Sequence, residues 1–386
     1  MKKVLRIGVV TAIPTPYRDP FWEVFSQQAG IELEVIYCAR SKGDRPWDIS
    51  WSQNFCTHYP KSYNFARKFG EAASLYWNPE LPELLRSQRY DALLIGGYNH
   101  LTLLWSIVWS KVSKTPYYLM SESYLEQSRA TWKKVFKEWF VRFIVKNAQG
   151  GLPTGTLAAE YLVHYGANPE AICHVPNVPD VEAFQKKSAE LVNRRVLLRR
   201  ELGLNRFTIL FVGRFIPMKG GDLLIRAFAA VHKQLDAELV MLGDGPERIT
   251  WERLAQALGV EAQVKFLGFQ QPDQITSWFS VADLMCLPSK NETWSVVVLE
   301  ALASNLPVLI TDRVGCYRDA VNDEVGTVVR ANSVDALEEG LMDAVRNKRS
   351  REFVSENWAM RRRKFRYEAI ASELRGFLLR TSKKGT

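Results

Sequence analysis

The chain has no apolar run long enough to cross a bilayer. Its longest, Leu101 to Trp109, falls far short of the roughly 20 residues a spanning helix requires. A secretory leader is not expected either. Met1-Lys-Lys is followed by Val4 to Ala12 before Pro14 interrupts, which predicts a first strand. Cysteine is sparse: Cys38, Cys56, Cys173, Cys286 and Cys316 are scattered without metal-ligand spacing. They read as reduced, buried thiols of a cytosolic protein, and no metal site is expected. Zinc-finger spacing, RNA-binding aromatic motifs and concentrated Lys/Arg tracts are all missing, so nucleic acid is not an expected partner.

The composition, 47% hydrophobic and 24% charged over 386 residues, is that of a soluble globular protein with room for two domains. A formal charge of +9 calls for an anionic partner, either a phosphorylated small molecule or an anionic membrane face.

The stretch Leu287 to Pro307 organises the remainder. A mostly apolar run, Val281 to Leu287, predicts a buried strand ending at Pro288; a polar loop follows, then a helix from about Ser295 to Asn305. Strand, loop and helix in that order aim backbone N–H groups and a positive dipole end at an anion. Glu292 precedes the helix and Glu300 lies about two turns into it. Carboxylates on both sides of such a helix start suit a ligand with hydroxyls on both sides of its phosphates, as in a nucleotide sugar. The plainer alternative makes both of them surface residues.

Strand and helix signals alternate through the first half, predicting a parallel sheet that binds ligands beyond its carboxyl strand ends. Those ends hold Pro16, Tyr17 and Arg18, then His100, then Glu122. Arg18 is either an anion contact or an exposed turn residue, His100 an acid/base group or a structural histidine, and Glu122 an acceptor contact or a helix cap. Residues 40–64 read as irregular. Ser128 to Lys146 places Trp132, Val135, Phe136, Trp139, Phe140, Phe143 and Ile144 at helical spacing among lysines and arginines. Such a stripe fits a core helix with a basic edge, or a helix lying on an anionic bilayer. Val175 to Asp180 reads as a linker, and Lys186 to Leu202 as one basic helix. In the second half, a strand ends at Gly213-Arg-Phe-Ile-Pro-Met-Lys-Gly-Gly221, where Arg214 and Lys219 can clamp a diphosphate ahead of a helix. Walker spacing is absent there. Arg351 to Leu379 reads as a terminal helical segment.

Taken together, Val212-Gly-Arg…Lys219-Gly, Leu242-Gly-Asp-Gly-Pro246, Val264-Lys-Phe-Leu-Gly268, Ala282-Asp…Leu287-Pro-Ser289, Glu292-x7-Glu300 and Ala301-Leu-Ala…Leu306-Pro-Val resemble the family 4 glycosyltransferases. The first half resembles the branch with a Pro-Thr-Pro-Tyr-Arg loop, common among bacterial surface-polysaccharide enzymes. The resemblance implies the α/β GT-B fold: two Rossmann-like domains facing a central cleft, 1–178 binding acceptor and 179–354 binding donor, with part of 355–386 crossing back onto the first. It implies a retaining transferase that needs no metal or bound cofactor and uses a nucleotide diphosphate sugar as co-substrate. Arg214 and Lys219 would neutralise the diphosphate, aided by amides around Trp294, Ser295 and Val296. Glu292 would bond the donor sugar and Glu300 the ribose, while Gly213, Gly243, Asp244 and Gly268 would border the donor. Ser295 and Asn305 stand where the family often has glycine. The acceptor would be a glycan or lipid-linked intermediate, reached from the cytoplasm at the inner membrane face. The alternatives are a sugar-nucleotide epimerase of the same fold and a non-catalytic nucleotide-sugar binder.

Overall fold

Runs in which apolar residues follow one another without alternation become strands covered on both faces, as parallel sheets require. The computed structural model describes residues 4–41, 54–66, 74–125 and 131–382. The chain divides into two units, Met1–Val178 with Tyr367–Thr386, and Pro179–Arg366.

In the first unit, β1 (Leu5–Thr11), β2 (Ile31–Tyr37), β3 (Cys56–His58), β6 (Ala92–Ile95), β7 (Tyr117–Ser121) and β8 (Gly150–Pro153) form one sheet, while β4 (Tyr63–Asn64) and β5 (Tyr76–Trp77) make a small antiparallel pair. The order is β3-β2-β1-β6-β7-β8, with every pairing parallel. β3 and β4 show that part of the stretch expected to be irregular, 40–64, is paired; residues 42–53 lie outside the described residues. Tyr367–Thr381 is a helix of this unit. It rests on the helix Asp19–Ser26, its Tyr367 hydroxyl donates to the Val178 carbonyl at 3.1 Å, and Phe377 meets the Tyr118 ring edge-on at 5.6 Å.

The second unit repeats the scheme with β9 (Phe207–Val212), β10 (Ala237–Leu242), β11 (Val264–Gly268), β12 (Leu284–Leu287), β13 (Val308–Thr311) and β14 (Gly326–Val329), in the order β11-β10-β9-β12-β13-β14. Renumbered within each six-stranded sheet, both run 3-2-1-4-5-6, the doubly wound order of nucleotide-binding folds. At the core, Trp251 is fully buried, 4.9 Å from the Phe215 ring and edge-on to Phe211 at 5.9 Å.

Several expected elements differ. Val281 closes the helix Pro272–Val281, so β12 begins only at Leu284. The single helix expected over Lys186 to Leu202 is two, Val181–Val192 and Arg195–Glu201. The break lets Arg195 and Arg199 turn onto Asp283, at 2.5 and 3.0 Å, and onto the last carbonyls of the helix Pro272–Val281, those of Ser280 and Val281. Arg351 to Leu379 is likewise two helices, Arg351–Arg361 and Tyr367–Thr381, parted by a short 3-10 turn. Arg351 is spent on carbonyl groups of Phe279, Ala282 and Ser304.

Trp251→Ala empties the space that Phe211, Phe215 and Gly221 share. We expect a loss of about 3–5 kcal/mol in unfolding free energy, read from the urea midpoint of the intact chain.

Candidate functional site

A doubly wound sheet leaves a crevice at its carboxyl edge where the strand order reverses, because the loops following the two central strands diverge there. That point is β1/β6 in the first unit and β9/β12 in the second.

In the second unit the loop after β9 holds Gly213, Arg214 and Lys219, and the loop after β12 holds Glu292, Trp294 and Ser295 ahead of the helix Val296–Ala303. The Lys290 amide donates to the Met218 carbonyl at 2.8 Å and joins the two loops. Gly220 makes this approach possible: at φ 67° its α-carbon lies so close that an added Cβ would sit 2.2 Å from the Pro288 carbonyl oxygen. The Lys219 ammonium pairs with the Glu292 carboxylate, both side chains about one-fifth exposed. Arg214 is exposed on the same loop. Gly243, at φ 133°, lets the loop after β10 close against the Gly213 carbonyl, and its amide donates to the Gly268 carbonyl at 2.9 Å, so the ends of β9, β10 and β11 sit side by side. Asp244 is turned outward toward Arg248 at 3.4 Å.

The helix starts at Val296, one residue later than expected. Ser295 is its cap, at φ 107° and ψ 94°, a region open to glycine and strained for serine. Asn305, at φ 58°, adopts the left-handed conformation that asparagine tolerates. The Trp294 ring is buried, so toward a ligand this residue offers backbone. The first-turn amides from Val296 have no intrahelical acceptor and suit an anion. On the same helix, burial pushes the Glu300 carboxyl up to about 7.

In the first unit Tyr17, Arg18, His100 and Glu122 line one cavity of about 730 Å³; Pro16 is outside its lining. Arg18 is not an exposed turn residue. It is 8% exposed, sits 5.8 Å from the Trp22 ring and donates to the Val175 carbonyl at 3.3 Å. Burial lowers its pKa, opposed first by the Glu122 charge. His100, 3% exposed, occupies the cap position of the helix Leu101–Ser113, with its ring 4.9 Å from Tyr76. Glu122 accepts from the Asn177 amide at 2.5 Å. Asn177 was missed by sequence reasoning, because its Val-Pro-Asn-Val-Pro setting reads as linker; the two flanking prolines, which stiffen the chain, were the available signal.

The helix Thr131–Asn147 divides the stripe between core and surface. Val141, Ile144 and Val145 are buried, whereas Trp139 is 69% and Phe143 52% exposed, their rings stacked 6.3 Å apart. Ser128 and the side chains of Trp132, Val135 and Phe136 lie outside the described residues. Among the described residues no helix is long and apolar enough to cross a membrane.

Residues 178–360 match the family model described as glycosyl transferases group 1. D-inositol 3-phosphate glycosyltransferase from Corynebacterium glutamicum (strain R) is 33% identical over 221 residues, 55% of this chain and 52% of that protein. The chain thus spans about half the length of this curated relative. Anabaena HepE, solved in complex with UDP, aligns over 97% of this chain and 100% of its own with a TM-score of 0.74 at 16% identity. The lipopolysaccharide outer core galactosyltransferase WaaB, in its apo form, gives 0.72 at 15%, over 97% and 99%. The structural likenesses establish a fold of the GT-B type, with two Rossmann-like units. The sequence matches support the group 1 glycosyl transferase family, carried by residues 178–360.

Glu300 yields a pH prediction. Its folded carboxyl holds the proton more tightly than the unfolded one, so folding carries no penalty from it below about pH 4.5 and the full penalty above about pH 7. The difference is on the order of 3 kcal/mol from a shift of this size. Denaturation curves between pH 4.5 and 8 should therefore show wild type losing stability relative to Glu300→Gln as pH rises.

Proposed function

We propose that the chain is a retaining glycosyltransferase that moves a sugar from a nucleotide diphosphate sugar to an acceptor hydroxyl, in glycolipid or surface-polysaccharide synthesis. The observation that carries this reading is the pairing of Lys219 with Glu292 beside the amide-bearing start of the helix Val296–Ala303. A nucleoside diphosphate leaving group gains negative charge as the glycosidic bond breaks. Lys219, with Arg214 on the same loop, would neutralise that charge from fixed positions, which lowers the barrier without a bound metal or cofactor. Glu292 exchanges its lysine partner for sugar hydroxyls, and Glu300, substantially protonated near neutrality, can donate to or accept from a ribose hydroxyl. Gly213, Gly243, Asp244 and Gly268 frame the nucleotide, with Trp294, Ser295 and Val296 giving backbone amides. Retention follows the family resemblance. HepE, solved with UDP, accords with a nucleotide donor, and the name D-inositol 3-phosphate glycosyltransferase accords with sugar transfer.

The cavity of the first unit would take the acceptor, with Tyr17, Arg18, His100 and Glu122 on its wall and Pro16 stiffening the loop. A lipid-linked acceptor places the enzyme at the cytoplasmic membrane face, and a surface of this unit suits that role. Trp139 and Phe143 are exposed on one helix; Trp105, Val108 and Val112 are exposed at i, i+3, i+7 on the helix Leu101–Ser113. The Lys111 ammonium donates to Asn147 at 2.8 Å and joins the ends of these two helices, with exposed Lys114, Arg142 and Lys146 nearby in sequence. Aromatic groups for the lipid interface beside cations for anionic headgroups fit a bilayer surface.

Lys219→Ala and Glu292→Gln should each reduce turnover about 100-fold or more with an unchanged melting temperature, measured as nucleoside diphosphate release together with identification of the sugar product. Near-normal turnover in both variants removes the site assignment. On vesicles containing an anionic phospholipid, the wild type should co-sediment, more weakly at high salt, and Trp139→Ala/Phe143→Ala should remain in the supernatant.

A further inference from the structure

We infer that Glu34, Cys56 and His58 form a binding site for a divalent cation of the zinc class at the edge of the first sheet. β2 and β3 pair in parallel with Glu34 opposite Cys56 and Ile36 opposite His58. Cys56 and His58, two residues apart on a strand, therefore share one face with Glu34 across the ladder. One oxygen, one sulfur and one nitrogen from these residues lie within 4.8 Å of one another. His58 Nε2 stands 3.0 Å from Glu34 Oε2 and 3.6 Å from Cys56 Sγ. Bonds of about 2.0–2.3 Å to a tetrahedral ion would hold neighbouring donors roughly 3.3–3.7 Å apart, so small side-chain adjustments bring all three into range.

The donor set points to the same ion class. Thiolate with imidazole selects zinc and its neighbours over magnesium or calcium, which prefer oxygen alone. The Tyr90 hydroxyl donates to Glu34 Oε2 at 2.8 Å and Arg6 reaches Oε1 at 3.3 Å, so the carboxylate is held in orientation by a surrounding shell, as metal-ligating groups commonly are. The Glu34 and His58 side chains are 14% and 26% exposed, leaving access from solvent and room for water as a fourth ligand. Binding forms a sulfur–metal bond as the Cys56 thiol releases its proton to solvent. The ion would fasten β3, three residues at the sheet margin, to β2. No part in sugar transfer is assigned to it.

The full chain, free of any histidine tag and stripped with chelator, should take up one equivalent of Zn²⁺ with a rise in melting temperature of several degrees. Co²⁺ in its place should give a thiolate charge-transfer band in the near ultraviolet. Cys38, Cys173, Cys286 and Cys316 are buried while Cys56 is exposed, so the band reports on Cys56. Cys56→Ser should abolish it, and His58→Ala should weaken Zn²⁺ binding at least tenfold. Absence of stoichiometric uptake, or a band that persists in Cys56→Ser, overturns the inference. Should the serine variant not fold, undiminished affinity in His58→Ala overturns it equally.

Discussion

A parallel sheet whose strands are laid outward in both directions from a central pair must send the two central loops to opposite faces. That constraint operates twice in this chain, at β1/β6 and at β9/β12. It brings Arg18 and His100 to the carboxyl edge of one sheet, and Lys219 and Glu292 to that of the other. Interaction between the loops then depends on how closely their backbones approach. Gly220 against Pro288 and Gly243 against Gly213 set that distance in the second unit, where any side chain would hold the loops apart.

Electrostatics in the second unit works on this frame. Lys219 and Glu292 are partly withdrawn from water, where opposite charges attract more strongly than on an open surface. The pairing holds each of the two side chains against the other. Glu300 shows the reverse effect: burial without a charge partner keeps its proton on near neutrality. Two carboxylates eight positions apart in sequence thus sit in different surroundings, Glu292 against a lysine and Glu300 shifted upward by burial.

Much of the architecture was legible because central strands such as β1, β9 and β10 are mainly apolar and end in glycine- or proline-bearing loops. The residues proposed for the donor site stand out in the sequence for a related reason, since they cluster in contiguous loops after strands of the second sheet. Boundaries were less legible. Val281 to Leu287 is apolar except for Asp283, and only that one residue marks where a helix has closed at Val281 and a strand of the last four is about to begin. The helix Thr131–Asn147 shows a different limit: spacing reveals a stripe, but only tertiary packing decides that Val141 faces inward and Trp139 outward. The grouping of Glu34 with Cys56 and His58 arises across a strand pairing, which linear spacing does not encode. Asn177 escaped notice because a residue in an extended segment has no periodicity to betray what it touches.

The helix Tyr367–Thr381 belongs with a unit whose other residues precede position 179. On the ribosome, every residue of Pro179–Arg366 emerges before that helix does. The earliest-made unit is therefore the last to be completed, and until translation has passed the whole of its neighbour, the surface of Asp19–Ser26 and the ring of Tyr118 wait without the partners they will finally have.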